Sequence, residues 1–253
     1  MRNRSIVLGT VTLCAIVLVS VIHFIPLALY RTHASASPIV TILPLGDSIT
    51  YGVGSSDKGG YRTFLWRECL KSGYRIRFVG TRSSGPGDID TFHEGHPGWR
   101  IDQISSHVVP WLMLYRPQIV LLFIGTNDII QRYDVSHAPN RLSLLIDEIT
   151  FTLPKSTLIV ASVTPLDDGK LYARKGFSSS VDFNANIIAY NAAIPSLVRW
   201  EDARGKHVQY VDMYDAVPVY DVADGIHPDD AGYALMANVW YAALTRLLVP
   251  SHA

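Results

Sequence analysis

Between Pro38 and Leu248 short β-branched and apolar runs alternate with longer segments in which apolar positions recur every three or four residues. The short runs predict strands over residues 39–45, 75–80, 119–124, 158–162 and 208–211. Their apolar residues are continuous rather than alternating, which suits strands buried on both faces. The longer segments predict helices over 61–71, 101–115 with a kink or break at Pro110, 139–150, 184–204 and 229–248. The alternation amounts to five βα units without an internal repeat, the pattern of an α/β domain whose parallel sheet is covered by helices on both faces.

Glycine, proline and polar residues gather in the connections 46–60, 81–98, 125–137, 164–182 and 213–227. Four of these follow strand C-termini. In open α/β sheets ligands bind beyond the carboxyl ends of the strands, so the four loops are expected to share one crevice and to carry the chemistry.

The first thirty residues break the pattern. Arg2 and Arg4 precede an apolar stretch from Ile6 to Tyr30, interrupted mainly by His23 and Pro26, and Ala34-Ser35-Ala36 has the spacing of a signal-peptidase site. The stretch exceeds the roughly 7–15 residues of a usual signal core and is long enough to span a bilayer of about 30 Å, so a cleaved signal and an uncleaved anchor both fit. Either exports residues 37–253 as one domain outside the cytoplasm, secreted or anchored, because basic residues at the extreme N-terminus favour a cytoplasmic start.

With 48% hydrophobic residues in 253, the chain can bury one full core. Lys plus Arg and Asp plus Glu number 22 each, with no long run of like charge, which argues against a nucleic-acid partner. Of the two cysteines, Cys14 lies in the export segment, so Cys69 is expected as a small buried apolar residue and zinc through thiolates is excluded. His93 and His96 have a spacing that metal pairs use, but no further ligand set stands out, so they are expected to hydrogen-bond their own loop and no metal is expected.

Two of the loops suggest nucleophilic catalysis. Gly46-Asp47-Ser48 directly follows a strand, and the glycine permits a turn that lifts the Ser48 hydroxyl to the sheet edge; a plain helix cap is the alternative. A serine needs a base, and the base an orienting group. Asp224-Gly225-Ile226-His227-Pro228 supplies both at a spacing that lets the carboxylate reach Nδ1 and leaves Nε2 for the serine, with Pro228 expected in the first turn of the last helix. An oxyanion would need donors. The Asn127 amide in Gly125-Thr126-Asn127-Asp128 and a glycine N–H in Glu94-Gly95-His96-Pro97-Gly98-Trp99 are available, although each segment taken alone is also an ordinary turn.

These four blocks, in this order, resemble the SGNH hydrolases, or GDSL lipases and esterases, over nearly the whole length from Leu43 to the final helix. Gly59-Gly60-Tyr61-Arg62, the His93–Trp99 run and the segment from Asp224 to Tyr233 look like the carbohydrate esterase family 3 branch, whose characterised members deacetylate acetylated xylan. The resemblance implies a three-layer α/β/α, flavodoxin-like fold with a five-stranded parallel sheet, a shallow site and no cofactor. It implies Ser48 as nucleophile, Asp224 and His227 as orienter and base, and an oxyanion hole of the Ser48 and Gly98 N–H groups with the Asn127 amide. Gly95 is a weaker candidate than Gly98. The substrate it implies is an acetylated polysaccharide or oligosaccharide, with a lysophospholipase or thioesterase of the same family and a non-catalytic glycan-binding protein as the other readings. Trp99 and Tyr51 are candidates for sugar contact, since aromatic faces pack on pyranose rings, whereas Trp66 sits in a helical apolar pattern and is expected in the core.

Overall fold

The computed structural model describes residues 38–175 and 181–250. The expected export segment and Cys14 lie outside the described residues. The strands are β1 (Val40–Gly46), β2 (Ile76–Phe78), β3 (Arg82–Ser83), β4 (Phe92–Gly95), β5 (Ile119–Phe123), β6 (Thr157–Ala161) and β7 (Val208–Val211). The helices are α1 (Ser48–Tyr51), α2 (Tyr61–Lys71), α3 (Ile101–Tyr115), α4 (Thr126–Ile130), α5 (Ala138–Thr152), α6 (Asp168–Lys175), α7 (Phe183–Ala203) and α8 (Asp230–Leu244).

All five predicted strands are present and parallel, in the order β2-β1-β5-β6-β7. β5, Ile-Val-Leu-Leu-Phe, is buried at every position, as a strand covered on both faces must be. Helices α2 and α8 pack together, while α3, α5 and α7 pack side by side, which gives the two helical layers of an α/β/α sandwich. Cys69 is fully buried on α2, and burial pushes its thiol up to about 12. Trp66 lies against the core with its ring 5.5 Å from that of Phe78.

The sheet departs from the five-strand expectation by two short strands. The last two residues of β1, Leu45 and Gly46, pair with Glu94 and Gly95 of β4, which takes the place beside β1 that β2 holds lower down. β3 then pairs antiparallel with β4. Helix α3 continues through Pro110, because this residue is exposed and the carbonyl it strands can be hydrated. Pro228 falls outside α8, whose N-cap is Asp229 accepting from the Ala231 and Gly232 N–H groups.

The chain moves from β1 to β2 on one side and to β5 on the other. The carboxyl ends of β1 and β5 therefore form the switch point at which an open α/β sheet leaves a crevice.

Candidate active site

β1 and β5 approach closely at their carboxyl ends because position 46 has no side chain: a Cβ there would lie 2.0 Å from the Phe123 carbonyl oxygen. Immediately beyond, Asp47 caps α1, its Oδ1 accepting from the Ile49 N–H at 2.9 Å. Ser48 is thus the first residue of a four-residue helix, where its N–H has no helical acceptor, and it has no partner among the described residues. The helix-cap and nucleophile-turn readings of this segment describe the same geometry.

The Asp224–His227 loop is pinned as a small hairpin by the Val222–Pro228 bridge and the Ala223 N–H donating to the His227 carbonyl at 2.9 Å. Asp224 Oδ1 accepts from the Ile226 and His227 N–H groups at 3.0 and 2.8 Å, which aims Oδ2 at the ring. His227 Nδ1 lies 2.9 Å from that oxygen and Nε2 lies 2.9 Å from Ser48 Oγ. With Asp224 ionised, Nδ1 carries the proton and Nε2 accepts from the serine hydroxyl. Burial raises the Asp224 carboxyl, but the hydrogen bonds from the His227 ring and backbone, with the ring's charge, together hold it well below the ordinary carboxylate range.

The segment after β4 docks on β1 through the His96 N–H, which donates to the Gly46 carbonyl at 2.9 Å. Of its two glycines, Gly95 donates its N–H to His93 Nδ1 at 2.8 Å and packs against α1, where a Cβ would lie 2.4 Å from the Tyr51 nitrogen. Gly98 has φ +83°, open space around it and an N–H without a partner among the described residues. Its carbonyl accepts from Gln131 Nε2 at 2.7 Å, which ties it to the residue after α4. The free donor therefore belongs to Gly98.

Asn127, in the first turn of α4, donates from Nδ2 to the Trp99 carbonyl at 2.9 Å and, at a long 3.4 Å, to Asp47 Oδ2. Its neighbour Asp128 is buried and accepts from the Ile101 N–H at 3.0 Å and from Arg141, which fixes the start of α3 behind Gly98. Burial pushes the Asp128 carboxyl up against the pull of those donors.

His93 and His96 face different partners. His93 Nε2 lies 2.8 Å from Ser84 Oγ, whereas His96 Nε2 meets buried Glu94 at 2.9 Å. The His96 ring stacks on Trp99, at 4.2 Å, and on Trp111, at 4.8 Å, in one aromatic cluster with the two tryptophans 6.3 Å apart. Trp99 is only partly exposed, so packing accounts for one of its faces. Tyr51 meets the His93 ring edge-on at 5.5 Å and is also half-buried.

Two further groups sit under the serine. Asp47 is fully buried, and burial, only partly offset by the Ile49 N–H and the charge of His227, pushes its carboxyl up to about 7. Arg62 is also fully buried and bonds to the carbonyls of α1. Its place after Gly59-Gly60 was the only sequence signal for it.

The model of the GDSL-like Lipase/Acylhydrolase family matches residues 45–235. The chain is 28% identical over 242 residues to a multidomain esterase of Ruminococcus flavefaciens, covering 86% of this chain and 30% of that protein. The chain thus spans about a third of that relative's length. Among solved structures it is similar to a Clostridium thermocellum family 3 carbohydrate esterase, with TM-score 0.70 and 34% identity over 84% of this chain and 100% of the other. It is also similar to a family 3 carbohydrate esterase from Talaromyces cellulolyticus, with TM-score 0.65 and 25% identity over 82% and 97% of the two chains.

Proposed function

The chain belongs to the GDSL-like lipase/acylhydrolase family, and we propose that it is a serine-dependent carboxylic ester hydrolase that removes acetyl or other short acyl groups from a polysaccharide such as acetylated xylan. The observation that carries the proposal is the line of contacts from Ser48 Oγ to His227 Nε2 and from His227 Nδ1 to Asp224 Oδ2, each 2.9 Å long, at the switch point of the sheet. The carbohydrate part of the proposal is supported by the 34% identity to a family 3 carbohydrate esterase. The partly exposed ring of Trp99, next to Gly98 in the chain, offers aromatic surface on which a sugar ring can pack.

In this mechanism the Ser48 hydroxyl attacks the ester carbonyl carbon as His227 Nε2 takes its proton, and Asp224 stabilises the imidazolium that results. The electron pair moves to the carbonyl oxygen, which accepts hydrogen bonds from the Ser48 and Gly98 N–H groups and from the loosely held second N–H of Asn127. Collapse of the tetrahedral species expels the sugar oxygen, which leaves with the proton from His227. Water, deprotonated by the same histidine, then attacks the acyl-serine, and collapse of this second tetrahedral species breaks the bond to Ser48 Oγ, which takes the proton back from His227 as the acid leaves. The export segment, 1–36, would deliver the domain outside the cytoplasm, where such polymers are met.

The experiment is acetate release from acetylated xylan and from nitrophenyl acetate by the protein and its Ser48→Ala variant. Both substrates should be hydrolysed by the unaltered protein and neither by the folded variant. Retained turnover would remove the mechanism, and a preference for long-chain esters would replace the acetyl substrate by a lipid one.

A further inference from the structure

The helix that carries Ser48 has four residues, too few to satisfy its own carbonyls. Asp47 holds its front end through the Ile49 N–H. Its rear end is held by Arg62 of α2, whose Nε donates to the Thr50 carbonyl at 2.9 Å and whose Nη2 donates to the Tyr51 carbonyl at 3.0 Å. The remaining donors reach the Ser84 and Thr91 carbonyls at 3.0 and 3.1 Å and the Ser84 hydroxyl at 2.8 Å. None of these acceptors is a carboxylate. A guanidinium buried without a counter-charge is costly, and burial pushes this one down to about 10.

The Ser84 hydroxyl joins this arginine to the glycine turn. Because His93 Nδ1 accepts from the Gly95 N–H, the ring proton sits on Nε2, which donates to Ser84 Oγ at 2.8 Å. Ser84 Oγ also accepts from Arg62 and spends its own proton on the Tyr51 carbonyl at 2.8 Å. The back of the serine helix and the entry to the Gly95–Gly98 turn therefore hang from one half-buried hydroxyl.

We propose that Arg62 is a positioning residue of the reaction: through the Thr50 and Tyr51 carbonyls, and through Ser84 and His93, it fixes the Ser48 hydroxyl and the Gly98 N–H relative to one another. A hydroxyl and its oxyanion donor must be placed to within a fraction of an ångström, and a misplacement of about 1 Å costs on the order of 10²-fold in rate. The bridge through Ser84 makes Arg62 more than a support of the fold, since it links the two groups that close on opposite sides of one carbonyl.

The inference rests on the serine-esterase reading, and the test separates the two. Full-length Arg62→Lys, Arg62→Met and Ser84→Ala are compared with the unaltered protein on nitrophenyl acetate. Titration of Ser48 with a fluorophosphonate counts competent sites, so that kcat is expressed per site. Arg62→Met should lose on the order of 10²-fold in kcat per site with KM nearly unchanged. Arg62→Lys, which keeps the charge but not the fork, should recover part of that loss, and Ser84→Ala should lose on the order of tenfold. A purely structural arginine would lower the number of competent sites and leave kcat per site alone, and that result overturns the proposal. If Arg62→Met does not fold, the other two variants decide; if none of the three folds, the role is stability and the proposal is overturned. Absence of both turnover and labelling in the unaltered protein would instead sink the esterase reading.

Discussion

Asp47 Oδ2 and Asn127 Nδ2 face each other at 3.4 Å across the switch point, so a fully buried carboxyl group lies beside the amide that would receive the oxyanion. A fixed negative charge there would oppose the charge that develops on the substrate oxygen. Burial works against that charge by raising the carboxyl to about 7.

The raised carboxyl makes a prediction about stability and pH. The Asp47 carboxyl is pushed from the ordinary 3.8 up to about 7 in the folded protein, so its contribution is complete below about 4 and is lost as pH rises toward 7. Over that window the unaltered protein should lose ground to Asp47→Asn by at most ~4 kcal/mol, with the difference flat on either side. Urea melts of both proteins at several pH values between 4 and 8 measure it; a difference independent of pH would contradict it.

Asn127→Ala should lower kcat by about 10² to 10³-fold with a smaller effect on KM, the loss expected when one donor to a developing oxyanion is removed. Steady-state kinetics on a short acyl ester supply the comparison. A change confined to KM would mean that the amide holds the substrate and not its transition state.

The two glycines of the second block should respond to alanine to different degrees. At Gly98 the added methyl meets open space, and the cost is the strain of φ +83°, about 1 kcal/mol. At Gly95 it would collide with the backbone of α1 at the Tyr51 nitrogen, which adds overpacking of about 1–3 kcal/mol or more. Thermal melts should place Gly95→Ala well below Gly98→Ala; the reverse order would mean that the contact between β4 and α1 is not the rigid one described.

Asp224→Asn should keep the fold and lose on the order of 10⁴-fold in kcat, because an amide in that place can donate to Nδ1 and favour the wrong tautomer. A loss of tenfold or less would show that the backbone donors to Asp224, and not its charge, do most of the orienting.

The large elements were legible because each has a length and a pattern of its own. β5 was readable as a strand, predicted over 119–124 and found from Ile119 to Phe123, because its residues are continuously apolar, and α2 and α3 were bounded correctly at both ends. The short helices α1, α4 and α6 were hidden within predicted loops, since four to eight residues with glycines and aspartates nearby show no helical period. β4 was missed because His93 and Glu94 are polar, and they are buried by hydrogen bonds with Ser84, Thr81 and His96 that leave no hydrophobic trace.

The site divides along the same line. Asp224 and His227 were readable because their contact is local, three residues apart. Gly98 was preferred to Gly95 because it stands immediately before a helix; what separates them in the structure is the use of the Gly95 N–H by His93, a contact that spacing does not reveal. Arg62 was passed over because most of its partners are backbone carbonyls, which have no identity in a sequence, whereas Asp47 was readable as a helix cap through the kind of N–H contact it makes with Ile49.

The proposed mechanism passes through a covalent acyl intermediate at Ser48. Rapid acid quench of the protein during turnover of an acetyl ester, followed by mass analysis of its peptides, tests this directly. The prediction is a transient acetyl group on the peptide containing Ser48, absent from the Ser48→Ala protein. Acetate formed at full rate with no acetyl on that residue, or with the group carried elsewhere, would contradict it.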